Sequence, residues 1–163
     1  MGTACGHEHH QHPPGVEAVG RALDVAEQRC AVDGDRMTAP RRRVLELLLT
    51  AGEPVKAYDL IARFGGAEGQ AAKPPTVYRA LDFLERLGLA HRIASISAYV
   101  ACSGDDQSAH AAAFLICDCC GATREVSGPD QSAMNAAASA AGYAIARTTI
   151  EAHGRCAACR DVA

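Results

Sequence analysis

At 163 residues the chain is long enough for one mid-sized domain or two small ones, and a formal net charge of −3 argues against a globally basic nucleic-acid binder. Four Tyr, three Phe and no Trp leave the core to Ala, Leu, Val and Ile. No apolar stretch is long enough to span a bilayer, and Met1-Gly2-Thr3-Ala4-Cys5 lacks the basic and apolar run of a signal peptide, so a cytoplasmic protein with no membrane partner is expected.

The charge is unevenly spread. Up to Ser97 there are 12 Lys or Arg and 12 Asp or Glu, and from Ala98 onward 4 and 7. The front is locally basic, with Arg36, Arg41, Arg42 and Arg43 within eight positions. The back is acidic and holds most of the cysteines, so two modules with different partners are expected. Residues 6–15 are low-complexity and His-rich, ending in Pro13-Pro14-Gly15. A disordered, solvated tail is expected there, in which His7, His9, His10 and His12 bind metal weakly at best.

Val16, Val19, Leu23, Ala26 and Cys30 recur at helical spacing and predict a helix over 16–32 with one apolar face, stopped by Asp33-Gly34-Asp35. Thr38 is a good N-cap for a second helix running to about Thr50, with Pro40 early and Val44, Leu45, Leu48 and Leu49 inward. Arg41, Arg42 and Arg43 in its first turn break the preference for acids there, which reads either as phosphate contact or as a solvated basic face. After an extended link at Glu53-Pro54-Val55, a short helix over 57–64 turns Leu60, Ile61 and Phe64 inward. Pro74-Pro75-Thr76 opens another helix ending at Gly88, with Val77, Ala80, Leu81 and Leu84 as its buried stripe. Strands over 90–94 and 98–102 then form a hairpin whose turn, Ser95-Ile96-Ser97, is chemically weak without Gly or Asn. Helices followed by a hairpin, with Tyr78 and Arg79 early on the last helix, is the order of a winged helix-turn-helix. Ser103 to Ser108 reads as a hinge loop. Beyond it come strands over 112–117 and 123–126, an Ala-rich helix over 130–141 and a strand over 143–151, a small α+β module. A second copy of the chain could complete its exposed strand edge.

Two Cys-x-x-Cys pairs stand at the ends of this module, Cys117 with Cys120 and Cys156 with Cys159. Two such pairs are what a tetrahedral zinc site needs, each gripping the metal from a tight turn. The repeated spacing and the missing secretion signal favour zinc over disulfides or free thiols. Cys119 lies inside the first pair and could replace either neighbour. His91, Cys102, His110 and Glu125 form a second donor set of two imidazoles, a thiolate and a carboxylate, whose charge balances Zn²⁺. Spacing alone leaves it open against a surface His, a core Cys and a solvated Glu.

Three runs carry a resemblance: Ala57-Tyr58-Asp59-Leu60, Lys73-Pro74-Pro75-Thr76-Val77-Tyr78-Arg79-Ala80-Leu81-Asp82-Phe83-Leu84, and Ile150-Glu151-Ala152-His153-Gly154-Arg155-Cys156-Ala157-Ala158-Cys159. On these the chain resembles the ferric-uptake-regulator family of repressors, in its zinc uptake regulator branch, from about Val16 to Cys159. The resemblance implies an α+β fold: an N-terminal winged helix-turn-helix DNA-binding domain over 16–102, a hinge over 103–109 and a small C-terminal α/β dimerisation and metal-binding domain over 110–163. It implies a zinc-loaded homodimer that binds double-stranded operator DNA, represses zinc uptake genes and takes no small organic substrate. It implies structural zinc on Cys117, Cys120, Cys156 and Cys159, regulatory zinc on His91, Cys102, His110 and Glu125, and DNA contacts from Tyr58, Arg79, Tyr78, Thr76 and Arg41. Where the family usually opens its second helix with Leu-Thr-Pro-Gln-Arg, this chain has Met37-Thr38-Ala39-Pro40-Arg41, so the helix start is expected to shift slightly.

The iron-sensing branch often has adjacent histidines where this chain has only His110 after Asp105-Asp106-Gln107-Ser108-Ala109, and a soft thiolate favours zinc over iron(II) or manganese(II). An iron or peroxide sensor of the same family is the runner-up. A zinc carrier would explain the cysteines and the tail but not an exposed Tyr78 and Arg79. A thiol redox enzyme needs one Cys-x-x-Cys pair at a strand-to-helix turn, not two. No nucleophile–base set for hydrolysis is visible, so no enzyme is expected.

Overall fold

A computed structural model describes residues 15–65, 73–102 and 112–160. The chain divides between Cys102 and Ser103 into two compact units. The tail before Gly15, the expected hinge over 103–109 and His110 lie outside the described residues.

The first unit contains α1 (Val16–Val32), α2 (Ala39–Ala51), β1 (Val55–Lys56), α3 (Ala57–Phe64), α4 (Pro74–Arg86), β2 (Ala90–Ile93) and β3 (Ala98–Ala101). The strands form an antiparallel sheet in the order β1-β3-β2, so the short extended link pairs with the hairpin as a third strand. The hairpin closes without Gly because Ser97 itself adopts a φ of 52°. α2 packs against α1, α3 and α4, and the core gathers between them. Val44, Leu48, Leu60, Val77, Leu81 and Leu84 are all completely shielded. Truncating one such leucine to alanine costs about 2–5 kcal/mol through lost burial and the cavity left behind. Cys30 belongs to this core, and burial pushes its thiol up. Val16, expected on the same face, is the first residue of α1 and is 91% exposed, and burial on that face begins at Val19. Leu49, Ile61 and Phe64 are only partly buried at the edge of the core.

α1 ends in a Schellman motif. The Gly34 N–H donates to the Ala31 carbonyl at 3.2 Å and the Asp35 N–H to that of Cys30 at 2.8 Å. Gly34 takes the left-handed conformation the motif needs, with φ 73°. The turn delivers the Asp35 carboxylate to Arg86 at the end of α4, in a two-pronged ion pair with both contacts at 3.0 Å.

The second unit contains β4 (Ala112–Cys117), β5 (Thr123–Ser127), α5 (Ser132–Ala140), β6 (Thr149–Gly154) and α6 (Ala157–Arg160). β4 is the middle strand, antiparallel to β5 and parallel to β6, and α5 lies in the crossover between β5 and β6. α5 is shorter than the expected 130–141. Asp130 stands outside it, accepting from the Ser132 N–H at 3.1 Å. β6 begins six residues later than the expected 143–151 and runs through Gly154. Its bounds are those of its partner: Thr149 pairs with Ala112 and Gly154 with Cys117, and residues 143–148 form no regular element. Among the described residues, no helix is long and apolar enough to cross a membrane.

Candidate metal centre and helix face

The parallel pairing of β4 with β6 brings the two cysteine pairs together. Both strands run out at the same end of the sheet, where the Asp118 N–H donates to the Gly154 carbonyl at 2.8 Å. The chain after β4 folds back at once: the Gly121 N–H donates to the Cys117 carbonyl at 2.8 Å, and Gly121 holds a φ of 75° that a side chain would strain. Cys156 precedes α6, whose first turn returns Cys159 beside it through the Cys159 N–H donating to the Cys156 carbonyl at 3.0 Å.

The sulfurs of Cys117, Cys120, Cys156 and Cys159 all lie within 4.8 Å of one another. Those of Cys120 and Cys156 are 3.8 Å apart. A tetrahedron with zinc–sulfur bonds of about 2.3 Å has edges of about 3.8 Å, so the cage fits zinc. Four protein donors leave no open position, which is the pattern of a structural rather than a catalytic site. Cys119 is not part of this quartet.

The backbone has begun to prepare the cage for charge. N–H groups of Cys120 and Cys156 aimed at the Cys117 sulfur pull its thiol down to about 6. Burial first, and then the neighbouring sulfurs, push Cys159 up to about 12. Thiolates this close oppose one another's ionisation, and a bound divalent cation reverses that balance. His153, at the end of β6, places Nδ1 2.9 Å from Asp118 Oδ1, an exposed link between the two knuckles that spacing alone did not reveal.

Of the second donor set, His91 lies on β2 opposite Val100, and the Cys102 N–H continues the ladder by donating to the Leu89 carbonyl at 3.0 Å. Their side-chain donor atoms lie within 4.8 Å of each other. Glu125 is half-buried on β5 opposite Phe114.

Three of the expected DNA-facing residues stand on the first turns of α4, with Tyr78 (46% exposed) and Arg79 outward and Thr76 half-buried. Tyr58 on α3 is 80% exposed. Arg41 is engaged elsewhere: its guanidinium lies 3.5 Å from the centre of the Phe83 ring and donates to the Arg36 carbonyl.

Residues 33–153 match the ferric uptake regulator family. The chain is 44% identical over 141 residues to the zinc uptake regulation protein of Escherichia coli (strain K12), a match covering 86% of this chain and 82% of that protein. Among solved structures it is similar to a zinc uptake regulator complexed with zinc and DNA, at 43% identity and a TM-score of 0.77, covering 88% of this chain and 96% of the other. It is likewise similar to holo XcZur, at 41% identity and a TM-score of 0.72, covering 85% and 96%.

Proposed function

The chain belongs to the ferric uptake regulator family, and from that premise we propose that it is a zinc-responsive repressor: a homodimer that binds operator DNA when loaded with zinc and controls zinc uptake genes. The observation that carries this reading is the likeness, along most of the chain, to a regulator solved with both zinc and DNA.

Bound zinc supplies a tetrahedral cross-link that compensates thiolate charge. Cys117, Cys120, Cys156 and Cys159 are the proposed structural ligands, and they close the second unit. His91, Cys102, His110 and Glu125 are the proposed regulatory ligands, two from each side of the chain's division. Joint ligation by both pairs makes the spacing of two α4 helices in a dimer depend on zinc, and that spacing must match two half-sites. Zinc and DNA then favour the same state, each raising the other's affinity by about 1–3 kcal/mol. α4 supplies Thr76, Tyr78 and Arg79 to the groove, and α3 adds the exposed Tyr58. Arg79 has the fork geometry for two hydrogen bonds to a guanine edge. Support for a dimer comes from the second unit: α5 buries none of its residues, and Met134, Tyr143 and Ile145 are exposed.

The deciding experiment measures zinc per protomer and DNA binding together across a buffered zinc series. The wild type should retain a duplex selected from a random pool only when zinc is present. His91→Ala and Cys102→Ser should remain folded dimers yet lose that response. Wild-type binding indifferent to zinc removes the repressor reading. Variants that bind as the wild type does at every zinc level remove the proposed regulatory set.

A further inference from the structure

The basic run at the start of α2 points into the first unit. Arg42 reaches back to α1, with Nε donating to Glu27 at 2.7 Å and a second contact to Asp24 at 3.9 Å. Arg43 reaches the end of α3, donating to the backbone carbonyls of Arg63 and Phe64 at 3.3 Å each, while Glu46 holds it from its own helix at 2.8 Å. Those carbonyls belong to the last turn of a helix, where a cation is favoured. Arg41 reaches α4 through the Phe83 ring. Phe83 is only 4% exposed, and a second guanidinium, that of Arg86, lies 5.2 Å from its centre, fixed by Asp35. Three consecutive guanidiniums thus tie α2 to three different helices.

This explains why three cations occupy a helix start, where the dipole disfavours them. The three residues are half-buried, and each guanidinium already has an acceptor or a ring face within the unit, partners that a phosphate would have to share or displace. We propose that Arg41, Arg42 and Arg43 are positioning residues rather than phosphate contacts: they staple α1, α3 and α4 around α2, and the Arg41–Phe83 stack sets how α4 presents Tyr78 and Arg79. The stapling stands on the contacts alone, whereas its consequence for DNA rests on the repressor reading above.

Counter-ion release separates the two roles. Each phosphate contact contributes about 0.9 to the slope of log K against log salt concentration. Arg41→Gln should weaken zinc-dependent binding of the selected duplex roughly 5- to 30-fold, within the span seen for coupled neighbours. Its salt slope should stay that of the wild type. Phe83→Leu, which changes no charge, should have a similar effect, and the double variant should lose little more than either single one. A slope reduced by about one for Arg41→Gln, with Phe83→Leu binding normally, overturns the proposal. A urea denaturation cycle on positions 41 and 83 tests the stack without DNA: coupled losses support it and additive losses refute it. If no duplex is retained by the wild type, the repressor reading fails while that cycle still judges the stack.

Discussion

The backbone N–H of Cys156 donates to the sulfur of Cys117 across 3.3 Å, so the second cysteine pair is already hydrogen-bonded to the first. A metal held there would add a cross-link to a cage the backbone has shaped. Between Cys120 and Cys156 the chain runs 36 residues and contains all of β5, α5 and β6. Treated as a covalent staple, closure of such a loop stabilises by about 4 kcal/mol. Cys156→Ser should therefore lose one zinc per chain and expose the β6 amides to hydrogen exchange, while α1 to α4 stay protected. Unchanged zinc content by elemental analysis would contradict the assignment of this ligand.

Gly34→Ala forces a residue with a β-carbon into the left-handed conformation, although the space around it is open. The expected loss is about 1–2 kcal/mol, read as a lower urea midpoint with an unchanged slope. The damage should reach beyond the turn, because the same motif aims Asp35 at Arg86. A midpoint equal to that of the wild type would mean that the turn relaxes without cost.

The hydrogen bond from Arg86 holds the Asp35 carboxyl below its ordinary value. A carboxylate depressed in the folded state contributes stability that is complete above its unfolded pKa of about 3.9 and lost as pH falls through the lower folded value. Asp35→Asn should thus be less stable than the wild type at neutral pH, and the difference should shrink below about pH 4. Parallel stability curves down to that range would show that the ion pair contributes nothing.

Arg79→Ala should weaken binding of a selected duplex by about 1–3 kcal/mol and relax the base preference at one position of each half-site. Tyr58→Phe tests the neighbouring contact with the fold left intact, since the side chain stands in solvent. Equal losses on all sequences for Arg79→Ala would assign it to phosphate instead.

The helices of the first unit were legible because their buried residues recur at helical spacing, as Leu23, Ala26 and Cys30 do on α1. The cysteine quartet was legible from two repeated spacings, but spacing alone could not decide between Cys119 and Cys120, and only the family resemblance favoured Cys120. That choice depends on which sulfur the knuckle turns inward. The start of β6 was misplaced because residues 143–151 have strand-forming composition, while pairing with β4 sets the true bounds. The arginine run was legible as an anomaly and not as a staple. Its partners on α1 and α3 lie 15 to 21 residues away in sequence, and that on α4 is Phe83; only the packed helices bring these within reach.

The parallel pairing of β4 with β6 has a consequence in time. At about 5–20 residues per second, a ribosome adds the 36 residues from Cys120 to Cys156 in roughly two to seven seconds. During that interval the first pair of thiols exists without its partners and can form only half a cage. Its protection against oxidants and competing metals in a newborn chain then rests on the surrounding cell, and not yet on the fold.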